Sequence, residues 1–225
     1  MTNWPDKPLA DLRVSYESGE LLEDHLAANP LAMFTRWFQD ASSAGLPEPN
    51  AMVLATAATS GQPSARTVLL KQADARGFVF YTNLRSRKGS ELAQNPQVSA
   101  VFPWFAMHRQ VVVVGRVELI ARREVAEYFG SRPRSSQLGA WASEQSSVIE
   151  SRDVLDHRYQ EVSARFADGE IPPPDFWGGW LIRANTVEFW QGRTSRLHDR
   201  LRYRALADGV RLDDDHSWVT ERLSP

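Results

Sequence analysis

Ala51-Met-Val-Leu-Ala-Thr-Ala57, Ala65-Arg-Thr-Val-Leu-Leu-Lys71, Gly77-Phe-Val-Phe-Tyr-Thr82, Gln97-Val-Ser-Ala-Val-Phe102 and Arg109-Gln-Val-Val-Val-Val-Gly-Arg-Val-Glu-Leu-Ile120 follow one another with short polar segments between them. Short β-branched and aromatic runs at this spacing predict an antiparallel sandwich or barrel. Two helices interrupt or follow them: Ser86–Gln94, which joins two strands, and Arg122–Phe129, which closes at Gly130 ahead of Pro133. Upstream, Leu31, Phe34, Trp37 and Phe38 recur at helical spacing until the breakers of Gly45-Leu-Pro-Glu-Pro49. Downstream, Leu155, Tyr159, Val162 and Phe166 give Ser151–Phe166 one apolar helical face. Ile171-Pro-Pro-Pro174 reads as a rigid connector, followed by Trp180–Arg183, Val187–Trp190, Leu197–Tyr203 and Trp218–Arg222. Residues 1–30, polar and carrying Pro5, Pro8 and Pro30, read as an arm or lid. That leaves 31–225 as one α+β domain, a β-barrel core with attached helices.

At 225 residues the chain is long enough to bury a core without disulfides or structural metal, and it contains no cysteine. Disulfide frameworks, thiolate metal sites and cysteine nucleophiles are thereby excluded. A net charge of −2 gives no global field for nucleic acid, so any anion site is local. The longest apolar stretches, Ala51–Ala58 and Val111–Val114, fall far short of the roughly 20 residues that span a bilayer. The start has no apolar signal core, which reads as a soluble cytoplasmic protein without membrane partners. Dinucleotide and P-loop glycine motifs, Gly-x-Ser-x-Gly and His-Glu-x-x-His do not occur, and the five histidines stand singly, so no metal site is expected.

The chain has only three lysines against 23 arginines, and two of the three, Lys71 and Lys88, fall in the most site-like segment. Ser86-Arg87-Lys88 opens a helix, where the macrodipole disfavours cations unless an anion is bound. Arg66 and Lys71 flank an apolar strand core on opposite faces. Arg196, His198 and Arg200 at period two share one face if the segment is a strand, with the Trp190 indole beside them for a planar heterocycle. Tyr128, Arg132 and Ser136, at a helix end, form a second phosphate clasp. The cations thus fall into two anion-binding groups, enough for two phosphates. Asp213-Asp-Asp215 in the last hairpin reads as solvated loop.

Arg66-Thr-Val-Leu-Leu-Lys71, Phe80-Tyr-Thr-Asn-Leu-Arg-Ser-Arg-Lys88, Ser131–Ser146, Phe176-Trp-Gly-Gly179, Val187–Arg200 and Arg222-Leu-Ser-Pro225 together resemble the pyridoxamine/pyridoxine 5′-phosphate oxidase family, over about Leu12 to Pro225. The resemblance implies an antiparallel split β-barrel with peripheral helices, assembled as a homodimer with FMN at the subunit interfaces. It implies FMN contacts at Arg66, Thr67, Val68, Leu69, Leu70, Lys71, Tyr81, Thr82, Arg87, Lys88, Gln110, Gln145, Ser146, Trp190 and Arg200. It places the substrate phosphate on Lys71, Tyr128, Arg132 and Ser136, Arg196 and His198 as catalytic residues at the pyridine ring, and Arg13 and Tyr16 on a lid. The implied reaction oxidises pyridoxamine or pyridoxine 5′-phosphate to pyridoxal 5′-phosphate with O2, releasing H2O2. A split-barrel FMN oxidase of another substrate, such as a phenazine precursor, and a non-catalytic cofactor carrier are the alternatives.

Overall fold

In a computed structural model, which describes residues 9–12, 15–16 and 19–225, the alternating runs become nine strands of one antiparallel sheet. The elements run α1 (Pro30–Ser43), β1 (Ala51–Ala57), β2 (Pro63–Leu69), β3 (Gln72–Asp74), β4 (Gly77–Asn83), α2 (Arg87–Gln94), β5 (Gln97–Trp104), β6 (Arg109–Leu119), α3 (Arg122–Ser131), α4 (Arg134–Ala142), α5 (Arg152–Phe166), β7 (Trp177–Gln191), β8 (Asp199–Ala205) and β9 (Trp218–Arg222). Strand order is β2-β1-β5-β6-β7-β4-β3, with β8 on β7 and β9 on β8. One edge of β7 pairs with β6 from Trp180 to Gln191, while its other edge is shared: β4 takes Trp177–Ile182 and β8 takes Thr186–Gln191. This fork leaves the sheet unclosed and splits the barrel.

Alternation supplies the core. Met52 and Leu54 of β1, Ala100 and Phe102 of β5, and Val111 and Val113 of β6 point inward onto Met33, Phe34, Trp37 and Ala41 of α1, all buried. Phe34 meets Phe78 and Phe102 edge-on with ring centroids 5.0 Å apart, and each such buried ring contributes about 1.5–3 kcal/mol. A second cluster, built on Phe129, Leu138, Ile171 and Trp177, holds α3 and α4 against the β4 end of β7.

The segments Trp180–Arg183 and Val187–Trp190 are one strand rather than two. Asn185 is skipped where Val114 pairs with Thr186 and Gly115 with Ala184, so a bulge carries the ladder across the apparent gap. Gly115 makes the bulge feasible, because a Cβ there would lie 1.9 Å from the Arg183 carbonyl oxygen. Gly115→Ala is therefore expected to cost about 3 kcal/mol and lower the melting temperature by about 10 °C in a thermal scan.

Two other expectations change. Helix α3 runs through Gly130 to Ser131, and α4 starts directly after Pro133, a position where the missing N–H of proline costs nothing. Strand β2 ends at Leu69, because the Leu70 and Lys71 amides turn to the Asn50 and Val79 carbonyls. The acidic triplet lies in an exposed loop, as expected, and is tied locally: Asp213 pairs with Arg211 (2.8 Å), Asp215 accepts from Asn29, the N-cap of α1 (2.7 Å), and Asp214 accepts from Ser217 (2.8 Å).

Candidate active site

The junction between β4 and α2 sets the first group of residues. Ser86 caps α2 by accepting from the Gly89 amide (3.2 Å), which turns Lys88 back under the sheet until it is only 8% exposed. Its Nζ donates to Thr82 Oγ1 (3.0 Å) and Gln145 Oε1 (2.6 Å), and no carboxylate among the described residues pairs with it. Burial, reinforced by the nearby Arg66 charge, pushes the ammonium down to about 8. A buried cation held only by neutral acceptors, in the first turn of a helix, is the electrostatic requirement for an anion ligand.

Thr82, Lys88 and Gln145 line a cavity of about 620 Å3 together with Thr67, Val68, Leu69, Lys71, Tyr81, Tyr128, Arg132 and Ser136. The Tyr128 ring is fixed by stacking on Tyr81 (4.0 Å), which in turn stacks parallel to Trp177 (5.3 Å). Gly179, opposite Tyr81 in the β4–β7 ladder, makes room for that ring: a Cβ there would come within 2.9 Å of it. The Arg132 guanidinium lies 4.9 Å over Trp177, and its Nη1 is buried with no hydrogen-bond partner among the described residues. Burial lowers its pKa. Lys71 stands 6.0 Å from the Tyr128 centroid.

Arg66 and Arg87 stand behind this cavity, joined by a carboxylate that the sequence reading passed over. Arg66 donates to the Leu54 carbonyl (3.2 Å), Thr56 Oγ1 (2.6 Å) and Ser64 Oγ, and both arginines pair with Glu91, at 3.4 and 2.9 Å. Burial alone would raise the Glu91 carboxyl, but hydrogen bonds from Ser64, Thr56 and Arg87 hold it at about 2. The signal was present as an i,i+4 pair from Arg87. Leu70 is buried beside the cavity, and Ser146, next to Gln145, is exposed in a left-handed conformation (φ 76°).

A second group gathers at the other end of β7. Gln110 and Arg200 flank Trp190 from β6 and β8, and Arg200 is held by Glu188 at 2.7 and 3.1 Å. The His198 ring lies 4.7 Å from Trp190, and Tyr16 packs on His198 (5.8 Å) and on His108 (4.3 Å), a residue the sequence reading did not single out. Arg13 lies outside the described residues.

Arg196, His198 and Arg200 do not share a strand face, contrary to expectation. Strand β8 begins only at Asp199, and Thr194–Arg196 forms a 3-10 turn with Ser195 and Arg196 both left-handed (φ 56° and 61°). The Arg193 amide donates to His198 Nδ1 (3.1 Å) and closes this loop. Burial and then the Arg196 charge lower the His198 pKa, so the ring is neutral near pH 7 with its proton on Nε2.

The two groups are far apart within one chain. Tyr81 is opposite Gly179 and Gln110 is opposite Trp190, and that stretch of β7 spans about 35 Å. No helix is long and apolar enough to cross a membrane, and no cluster of potential metal ligands occurs among the described residues.

Two family descriptions match the chain: pyridoxamine 5′-phosphate oxidase over residues 38–166, and the pyridoxine 5′-phosphate oxidase C-terminal dimerisation region over 177–225. The chain is 56% identical over 226 residues to the pyridoxine/pyridoxamine 5′-phosphate oxidase of Acidothermus cellulolyticus, covering 100% of this chain and 98% of that one. It is 57% identical over 225 residues to that of Frankia alni, with 98% and 91% covered. Among solved structures, PhzG from Burkholderia lata, in complex with tetrahydrophenazine-1-carboxylic acid, has a TM-score of 0.83 at 28% identity, covering 94% of this chain and 100% of that one. A pyridoxamine 5′-phosphate oxidase-related, FMN-binding protein from Nostoc punctiforme shares the fold (TM-score 0.66, 16% identity, 89% of this chain and 100% of that one).

The fold is that of the split-barrel class, with a cationic cavity where sheet and helix meet. With family descriptions and near full-length relatives in agreement, the chain belongs to the pyridoxamine 5′-phosphate oxidase family, a family of FMN-dependent oxidoreductases, and carries that family's dimerisation region.

Proposed function

We propose that this chain oxidises pyridoxine 5′-phosphate and pyridoxamine 5′-phosphate to pyridoxal 5′-phosphate in the cytoplasm, as a homodimer that holds FMN and passes electrons to O2. The observation that carries the reading is the pair of cations in one cavity, Lys88 and Arg132, that lack carboxylate partners among the described residues. They suit two phosphate monoesters. For FMN the residues fit: Lys88, Arg87 and Arg66 offer charge, Thr82, Gln145 and Ser146 offer polar groups, and Thr67–Lys71 with Tyr81 offer a wall. Gln110, Trp190 and Arg200 complete this set from a second copy, because they lie too far along β7 to do so within one chain.

Bound FMN would supply two-electron acceptance and pass the electrons to O2, with H2O2 as product. Lys71, Tyr128, Arg132 and Ser136 hold the substrate phosphate, Tyr128 being pre-set by its stack on Tyr81. Fixing both phosphates sets the two rings in register, which removes much of the entropic part of the barrier. Neutral His198 presents Nε2–H as a donor to the substrate ring, and Arg196 steadies charge that develops near the carbon being oxidised. The part of the arm that carries Arg13 and Tyr16 acts as a lid that excludes water.

Purified protein is expected to carry a yellow flavin spectrum and, given pyridoxine 5′-phosphate in air, to form pyridoxal 5′-phosphate with equimolar H2O2. Unphosphorylated pyridoxine is expected to react at least about 100-fold less efficiently, because it leaves the Arg132 group unpaired. Flavin without peroxide would mean a carrier. Equal use of both alcohols, or preference for a dihydrophenazine acid, would favour the reading suggested by the likeness to PhzG.

The Lys88 pKa gives a pH dependence. Below about 8 the apoprotein presents an ammonium to the phosphate, and above it the amine is neutral until binding restores a proton. Titration of apoprotein with FMN is expected to show a dissociation constant that is level from pH 7 to 8 and rises about tenfold per unit above that. A level curve to pH 9.5 would contradict the role of Lys88.

A further inference from the structure

Asp199 opens β8, between two residues already given roles, yet neither the motif reading nor the proposed chemistry uses it. Its carboxylate is nearly buried, with a side-chain exposure of 14%, and it draws together three separate parts of the chain. Oδ2 accepts from the Leu21 amide (3.1 Å), at the root of the N-terminal arm, and from Arg193 Nη1 (3.3 Å). Oδ1 accepts from Arg222 Nη1 (2.8 Å), and Arg222 also donates to the Leu21 carbonyl (3.0 Å) and to Glu23 (2.6 Å). The loop that Arg193 closes contains two consecutive non-glycine residues at positive φ, Ser195 and Arg196, a conformation that persists only where the surroundings over-determine it. Two contacts do so here: the Arg193 amide on His198 Nδ1 and the Arg193 side chain on Asp199.

We propose that Asp199 is a positioning residue whose single carboxylate locks the Arg193–His198 loop and the root of the arm into one arrangement, so that Arg196, His198 and Tyr16 are presented to the substrate together. The proposal rests on the roles given above to those three residues. In the holoenzyme, Asp199→Ala is expected to raise KM for pyridoxine 5′-phosphate about 30-fold and lower kcat about threefold, with FMN affinity and melting temperature close to those of the parent protein. Independently of any substrate, deuterium uptake by the segment 19–26 is expected to accelerate at least about tenfold, since the Leu21 amide loses its acceptor. Arg222→Met, which removes the contacts of Arg222 to the Leu21 carbonyl and Glu23 but leaves Asp199 on both the Leu21 amide and Arg193, is expected to give a smaller acceleration of exchange and a smaller rise in KM, and it serves if Asp199→Ala does not fold. Unchanged exchange in the segment, or kcat/KM within twofold of the parent, overturns the proposal. So does a loss of activity matched by equal loss of FMN, which would mark a merely structural role. Should the parent protein itself not turn over the substrate, the functional reading fails, and the exchange experiment still decides whether Asp199 ties arm to loop.

Discussion

Lys88→Met is expected to weaken FMN binding by about 100-fold while raising the melting temperature of the apoprotein by about 5 °C. The two effects have one cause. Lys88 is buried against Thr82 and Gln145 without a counter-ion among the described residues, so in the apoprotein its charge carries an uncompensated desolvation penalty. Methionine fills similar volume without that penalty, but offers a phosphate nothing. Charge-assisted hydrogen bonds are worth about 1.5–3 kcal/mol, and the low dielectric of the site puts this one at the upper end. Fluorescence titration with FMN and a thermal scan of the apoprotein measure the two halves. If affinity and stability fell together, Lys88 would be a structural residue and the reading of the first phosphate site would be wrong.

Arg132→Leu is expected to raise KM for pyridoxine 5′-phosphate about 100-fold, with kcat/KM for unphosphorylated pyridoxine nearly unchanged and FMN affinity within a few-fold. Arg132 lies over Trp177 and against Phe129, so leucine retains much of the apolar contact, and what is lost is the guanidinium with its unpartnered Nη1. Discrimination in favour of the phosphorylated substrate should therefore collapse rather than activity as a whole. Steady-state kinetics on both alcohols measure this. Equal losses on the two would place Arg132 elsewhere than at the substrate phosphate.

The sheet was legible because its strands are half-buried and alternate: β1 and β9 lie where the pattern puts them, and β6 ends one residue early. Legibility failed where backbone geometry overrides side-chain pattern. The bulge at Asn185 hides the continuity of β7, since the skipped residue is polar and reads as a turn. Pro133 reads as a stop, whereas it precedes the first turn of α4. The same holds for the site. Lys71, Tyr81, Thr82, Lys88, Tyr128, Arg132 and Ser136 stood out in sequence as separate constellations that only the family resemblance joined, and the structure brings them around one cavity. The arrangement of Arg196, His198 and Arg200 could not, because period two applies only inside a ladder, and a loop with two left-handed residues carries no pattern. Glu91 and Asp199 went unassigned for a related reason: a carboxylate's worth depends on which arginines reach it, and those come from β2 for one and from β9 for the other.

The central claim is that the two groups of residues, about 35 Å apart along β7, form each active site from two different chains. Mixed dimers test this most directly. Chains carrying Lys88→Met and chains carrying Arg196→Leu, each inactive alone at limiting FMN, are unfolded together, refolded in equal amounts and assayed for pyridoxal 5′-phosphate. Half of the dimers formed would be mixed, and in each of these one of the two sites would receive only unaltered residues. Recovery of about a quarter of the parent activity is the predicted result. No recovery from a mixture shown to contain mixed dimers would mean that each chain builds its site alone, and would contradict the account.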